Sequence, residues 1–184
     1  AVGFGTFQQL LTDFPAAKLH ETIPNFHNTP DRYRALLETL ERDPMHRAAQ
    51  VQPEIEFALA RQAEMSAIQN ALASGKLPLR VRHNDTKLNN VLLDAKTRKA
   101  LCVIALDTFV PGSSLYDFGD SIRFGAATAA EDEKVLSKME MSLDRFRVFT
   151  RGYVRACPGL TAKELELLPM GAKPMTMECG VRFL

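Results

Sequence analysis

An α+β fold, mainly helical, follows from three observations. Apolar residues recur at helical spacing on both sides of the middle of the 184-residue chain. Between those segments, Val91-Leu92-Leu93 and Ala100-Leu101-Cys102-Val103-Ile104 are short apolar runs joined by a polar turn, Asp94 to Lys99, which predicts a β-hairpin. A polar loop, His83 to Asn90, runs straight into that hairpin.

Taken in order, Phe4, Phe7, Leu10 and Leu11 predict an amphipathic helix over Val2 to Asp13. Gly3 and Gly5 lack a third glycine and a preceding strand, so helix packing explains them better than a phosphate loop. Pro15 to Pro30 holds three prolines and reads as an ordered loop. His20 and His27 within it have no cysteine or carboxylate at ligand spacing. Thr29-Pro30-Asp31 is a helix start, with Tyr33, Leu36, Leu37 and Leu40 facing inward. Gln52-Pro53-Glu54 opens a second helix to about Ala73, with Ile55, Leu59, Ala63, Ile68 and Leu72 inward and Gly75 as its stop. Leu79 to Val81 is short and extended. Past the hairpin, Thr128-Ala129-Ala130-Glu131 has the form of a capping box. It predicts a long helix through Val135, Met139, Leu143, Phe146, Phe149 and Tyr153. A second box, Thr161 to Glu164, predicts a short helix to Leu168. Met170 to Leu184 is helical in pattern but holds Pro174, which predicts a kink or a late start.

Composition excludes several classes. With 23 basic and 22 acidic residues, net charge is +1, so no basic field recommends nucleic acid or an anionic membrane as partner. No apolar run is long enough for a membrane span, and no signal peptide opens the chain. Cys102, Cys157 and Cys179 lie far apart with no Cys-x-x-Cys pair, which predicts reduced thiols in a cytoplasmic protein. The chain opens on Ala1 in mid-helix and closes on the apolar run ECGVRFL. Both ends suggest an excised lobe.

The loop carries the chemistry. Phosphoryl transfer needs a carboxylate to orient the attacking hydroxyl and accept its proton, and oxygen ligands to hold magnesium against the phosphates. The kinase catalytic loop runs His-Arg-Asp, four residues, then Asn. His83-Asn84-Asp85-Thr86-Lys87-Leu88-Asn89-Asn90 has the same frame. Asp85 falls at the base position and Asn90 at the magnesium position, with His83 bracing the loop and Lys87 facing the transferring phosphate. Taken singly, Asp85 also suits an Asx turn, Asn90 a hairpin cap and Lys87 a solvated surface charge. The full set, in register and followed by a hairpin, favours the kinase-like reading.

HNDTKLNNVLL, then the hairpin ending in LDT, then PG and YDFGD, resembles the aminoglycoside phosphotransferase and choline kinase superfamily. Within it, the sequence is most similar to small-molecule kinases of the N-acetylhexosamine 1-kinase type. The likeness is strong from Arg80 to Arg123 and weaker in the flanking helices, including LHETIPNFHNTP. It implies the larger, helical lobe of a protein-kinase-like fold, spanning residues 1–184, with the β-rich nucleotide lobe absent. It implies transfer of the ATP γ-phosphate, with Mg2+, to a hydroxyl of a small-molecule acceptor. The expected acceptor is a sugar or amino sugar. Choline, ethanolamine and aminoglycosides are the alternatives, and choline is disfavoured by the absence of Trp and the presence of only three Tyr.

The sequence departs from the family pattern at Ala105. There the family has the Asp that corresponds to that of the kinase Asp-Phe-Gly motif, the principal magnesium ligand. Asp107 is the family's second acidic position. On an extended chain it would point the same way as residue 105, about 6–7 Å further along. Weakened metal binding and turnover are expected, and a non-catalytic homologue that binds nucleotide or metabolite is the alternative. Asp117-Phe118-Gly119 lies too far beyond the hairpin to be the missing motif. The likeness implies that Asp117 and Asp120 support the loop from the following helix, with Arg123 as an ion-pair partner.

Overall fold

The computed structural model describes residues 1–184. It contains eight α-helices and two separate two-stranded antiparallel sheets. The helices are α1 (Val2–Leu10), α2 (Thr29–Arg42), α3 (Gln52–Leu59), α4 (Gln62–Met65), α5 (Ala67–Ala73), α6 (Ser114–Gly125), α7 (Leu143–Ala156) and α8 (Ala162–Phe183). The strands are β1 (Arg80–Arg82), β2 (Val91–Leu93), β3 (Ala100–Val103) and β4 (Val110–Gly112). The fold is therefore the mainly helical α+β arrangement predicted.

β2 and β3 form the predicted hairpin, with Val91 opposite Val103. β1 pairs with β4, Arg82 opposite Val110 and Arg80 opposite Gly112. Sequence pattern did not reveal β4, a three-residue strand containing Pro and Gly, both poor strand formers. Together β1 and β4 fix the two ends of a segment that encloses the loop and the hairpin.

The main core gathers Phe4 from α1, Ile68 from α5, Leu115, Phe118 and Ile122 from α6, Tyr153 from α7, and Leu168 and Met175 from α8. A smaller core joins Tyr33 and Leu36 of α2 to Ala58, Met65 and Val181. The backbones of α6 and α8 touch where they cross. A Cβ on Gly119 would lie 2.1 Å from the Gly171 carbonyl oxygen, and one on Gly171 would lie 2.3 Å from that of Leu115. Gly119 is thus a packing residue, and Asp117-Phe118-Gly119 is helical.

Several expected elements differ. The helix predicted from Gln52 to Ala73 is broken into α3, α4 and α5. Its apolar face has to serve both cores: Ala58 and Met65 turn to the smaller, Ile68 and Ala71 to the larger, and Ala63 is exposed. The first helix stops at Leu10 rather than Asp13. The cap of α2 is Asn28, whose side chain accepts from the Asp31 N–H; Thr29 is buried inside the helix, and Leu37 is exposed.

Thr128 opens no helix. Its hydroxyl donates to the Lys138 carbonyl at 2.7 Å and accepts from the Glu140 N–H at 2.9 Å, and Glu131 is drawn to Arg123. The long helix starts only at Leu143, capped by Ser142. The Thr161 box is real, but its helix does not end at Leu168. α8 runs on through Pro169 and Pro174. Each proline forfeits one backbone hydrogen bond, a loss outweighed by the burial of Leu168, Gly171, Pro174, Met175 and Val181 along the same helix.

Candidate active site

The loop from His83 to Asn90 leaves β1 and enters β2 through a single 3-10 turn, Leu88–Asn90. Its backbone bends sharply at Asn84, which has φ 68°, a left-handed conformation that asparagine tolerates better than most residues. Such a bend strands backbone N–H groups in the interior, where each must find a partner.

The first two turns of α6 supply those partners. The Asp117 carboxylate accepts from the N–H of His83 at 2.8 Å and of Asn84 at 3.0 Å. Asp120 accepts from the Thr86 N–H at 2.9 Å, and the Thr86 hydroxyl donates to the Asp117 carbonyl at 2.6 Å. Arg123 holds the other Asp120 oxygen at 3.0 Å and also pairs with Glu131. Asp117 is 1% exposed. Burial pushes its carboxyl above the ordinary range, and the His83 and Asn84 N–H groups pull it back.

His83 is fully buried among the rings of Phe4, Phe7 and Phe109, all met edge-on at 5.3–5.7 Å. Its Nδ1 accepts from the Asp85 N–H at 3.2 Å, which leaves the proton on Nε2 to donate to the Ile104 carbonyl at 2.8 Å. One imidazole thus spans the loop and the end of the hairpin. The Thr108 hydroxyl donates to the His83 carbonyl at 2.5 Å, and Asn84 Nδ2 donates back to the Thr108 carbonyl at 2.7 Å.

Asp85 stands at the exposed end of this frame. Asn90 Nδ2 donates to its carboxylate and to its carbonyl, each at 2.7 Å. Lys87 Nζ lies 3.4 Å from the same carboxylate oxygen. Asp85 is 37% exposed and Lys87 42%, so both reach solvent from a fixed base. A carboxylate oriented by two donors and open to solvent is suited to accept a proton from a small molecule's hydroxyl.

The other predicted metal position is arranged differently. Ala105 adopts φ 61°, and residues 106–108 form a 3-10 turn. The chain is therefore not extended from Ala105 to Asp107, and the alternation that would aim their side chains alike does not apply. Asp107 is exposed. No group of three or more His, Cys, Asp or Glu side chains is placed to hold a metal. The oxygen donors present at the two positions are the Asn90 amide and the Asp107 carboxylate. That set suits magnesium only where phosphate and water oxygens complete the shell.

Two supporting residues had no signal of their own in the sequence. Gln8 is a polar side chain buried in the face of α1. Its Nε2 donates to the Val81 carbonyl at 2.9 Å and to Asp117 at 3.0 Å. Arg80 forms a bidentate buried pair with Glu164 at 2.5 and 2.7 Å, and Ser114 donates to the same glutamate. Burial would raise the Glu164 carboxyl, but the Arg80, Thr161 and Ser114 donors hold it below its ordinary value.

A mainly helical α+β fold that presents an Asp-Asn pair on a loop braced by the next helix is the arrangement that the resemblance to phosphotransferases implies. Residues 4–141 match the model of the phosphotransferase enzyme family, and the chain belongs to that family. The family lies in the aminoglycoside phosphotransferase and choline kinase superfamily and acts on small molecules. No helix is long and apolar enough to cross a membrane.

Proposed function

We propose that this chain is the catalytic-loop lobe of a kinase that moves the γ-phosphate of ATP to a hydroxyl of a sugar or amino sugar, as in N-acetylhexosamine 1-kinase-type enzymes. The observation that carries the reading is the Asp85 carboxylate, held by Asn90 and Lys87 on a loop whose buried N–H groups are satisfied by Asp117 and Asp120. Asp85 orients the acceptor hydroxyl and takes its proton. Lys87 stabilises charge on the transferring phosphoryl group. Asn90 and Asp107 are the residues that would hold a magnesium ion, which would neutralise charge on the nucleotide phosphates. His83, Asp117, Asp120 and Arg123 position the loop without touching substrate. Both sheets are two-stranded, so the reading joins this lobe to a β-rich nucleotide lobe. It places the enzyme in the cytoplasm, with ATP and the acceptor as its partners.

The test is ATP consumption, with magnesium, against amino sugars, simple sugars, choline and aminoglycosides, using the protein that carries both lobes. Asp85→Asn should cut kcat by about 10²- to 10⁴-fold with little change in KM for ATP. Equal losses in kcat and ATP binding would assign Asp85 a structural role instead. Ala105 favours a second reading, a homologue that binds nucleotide without turnover. Under it the starting protein is inactive and Ala105→Asp restores turnover. If that variant gains neither activity nor tighter Mg-ATP binding, the metal position is misassigned.

A further inference from the structure

Arg82 is the one side chain of β1 whose charge the catalytic frame does not use. It is 5% exposed, and its Nε and Nη1 are buried without a hydrogen-bond partner. Its position is built. The guanidinium lies directly against Gly112 of β4, where a Cβ would come within 2.1 Å of Arg82 Nε. On another side it sits 5.2 Å from the centre of the Tyr116 ring. The buried carboxylates around it are committed elsewhere: Asp117 to the loop, and Glu178 to His27 at 2.7 Å and Thr29 at 3.1 Å.

Arg82 lines a cavity of about 360 Å³ together with Phe26, His27, Gln69, Tyr116 and, at the exposed rim, Glu21. The Tyr116 hydroxyl, beside Gln69 and Thr29, is also buried without a hydrogen bond of ordinary geometry. A buried guanidinium with unmet donors is costly unless a counter-charge meets it. A neutral polyol would satisfy the N–H groups and leave the charge. An oxyanion satisfies both, and the planar fork suits carboxylate or phosphate oxygens. The volume is that of a ligand pocket for a molecule of about sugar-phosphate size.

We propose that this cavity is a binding site for a small molecule bearing a phosphate or carboxylate group, with the anion on Arg82 and the Tyr116 hydroxyl. Neither Asp85 nor Lys87 lines this cavity, and the site stands whether or not the chain turns over ATP.

The experiment is a thermal-shift titration with inorganic phosphate, glucose 1-phosphate and glucuronate, each against sodium chloride at matched ionic strength. At least one anion should raise Tm saturably, by about 3 °C at ten times its Kd. A larger effect of glucose 1-phosphate assigns a phosphate ester, and a larger effect of glucuronate assigns a carboxylate. Arg82→Met should abolish the shift while melting no lower than the original protein in anion-free buffer, since it removes an unpaired buried charge. Ala73→Glu, an exposed change at the cavity edge, should abolish the shift without touching Arg82. Glu21→Gln should strengthen binding by removing a like charge from the rim. Absence of a saturable shift with all three anions overturns the proposal. So does a shift that survives both Arg82→Met and Ala73→Glu, or one that is lost in Lys87→Met, which would put the anion on the loop.

Discussion

The loop from His83 to Asn90 and the turn from Ala105 to Thr108 stand side by side, joined through the His83 ring and Thr108, yet they are built in opposite ways. Every bend of the loop is met from outside by a buried carboxylate, a hydroxyl or an imidazole. The turn carries an alanine in a left-handed conformation and an exposed aspartate whose carboxylate makes no hydrogen bond and whose carbonyl meets only the Thr22 hydroxyl, at a long 3.5 Å. Precision in the loop comes from groups that would be costly to leave unpaired. The turn is shaped mainly by its ends. Proton acceptance, the task proposed for the loop, demands fixed geometry. The turn holds no comparable constraint.

That contrast can be tested directly, from the largest effect to the smallest. Asp117→Ala strands two buried backbone N–H groups and should cost about 3–5 kcal/mol, measured by urea unfolding, with loss of the loop's amide protection. Glu164→Gln removes the charge that answers Arg80 and should cost about 3 kcal/mol at neutral pH. The pH dependence has a definite sign. Glu164 has a folded pKa below its unfolded value, so its contribution is present above the unfolded pKa and is lost as pH falls through the folded one. In pH-dependent melts, the variant should lose less stability than the original chain as pH falls below about 4.5.

The turn should respond weakly. Ala105→Gly relieves the left-handed strain at φ 61° and should raise stability by about 1 kcal/mol, read as a higher urea midpoint at unchanged slope. Asp107→Asn should change stability by less than about 0.5 kcal/mol. A loss at Asp107 comparable to that at Asp117 would erase the distinction between the two regions.

Legibility from sequence follows the same division. The residues proposed to react lie within eight positions of the loop, in the frame of a kinase catalytic loop. Their supports do not lie nearby. Gln8 reaches Asp117 across 109 residues, and nothing in the pattern of α1 marks it except a polar side chain in an apolar face. The two capping boxes make the point more sharply. Thr161 and Glu164 cap α8 because Arg80 and Ser114 also require that glutamate in place. Thr128 and Glu131 have the same spacing, but Lys138, Glu140 and Arg123 offer them other partners. Local pattern proposes an element, and tertiary partners decide it. The same holds for α8, whose prolines argue for two helices until the burial along its length is known.

α8 has a consequence for how the chain acquires its shape. Through Glu164 it grips Arg80 at the start of β1, and through Glu178 it grips His27, which lies 3.4 Å from the Asn84 carbonyl at the other end. These contacts close sequence separations of 84 and 151 residues. Closure over such lengths is entropically late and slow compared with local helix formation. On an emerging nascent chain, β1 and the loop would therefore wait for α8, and the Asp85 carboxylate would be set in place only after α8 has been made.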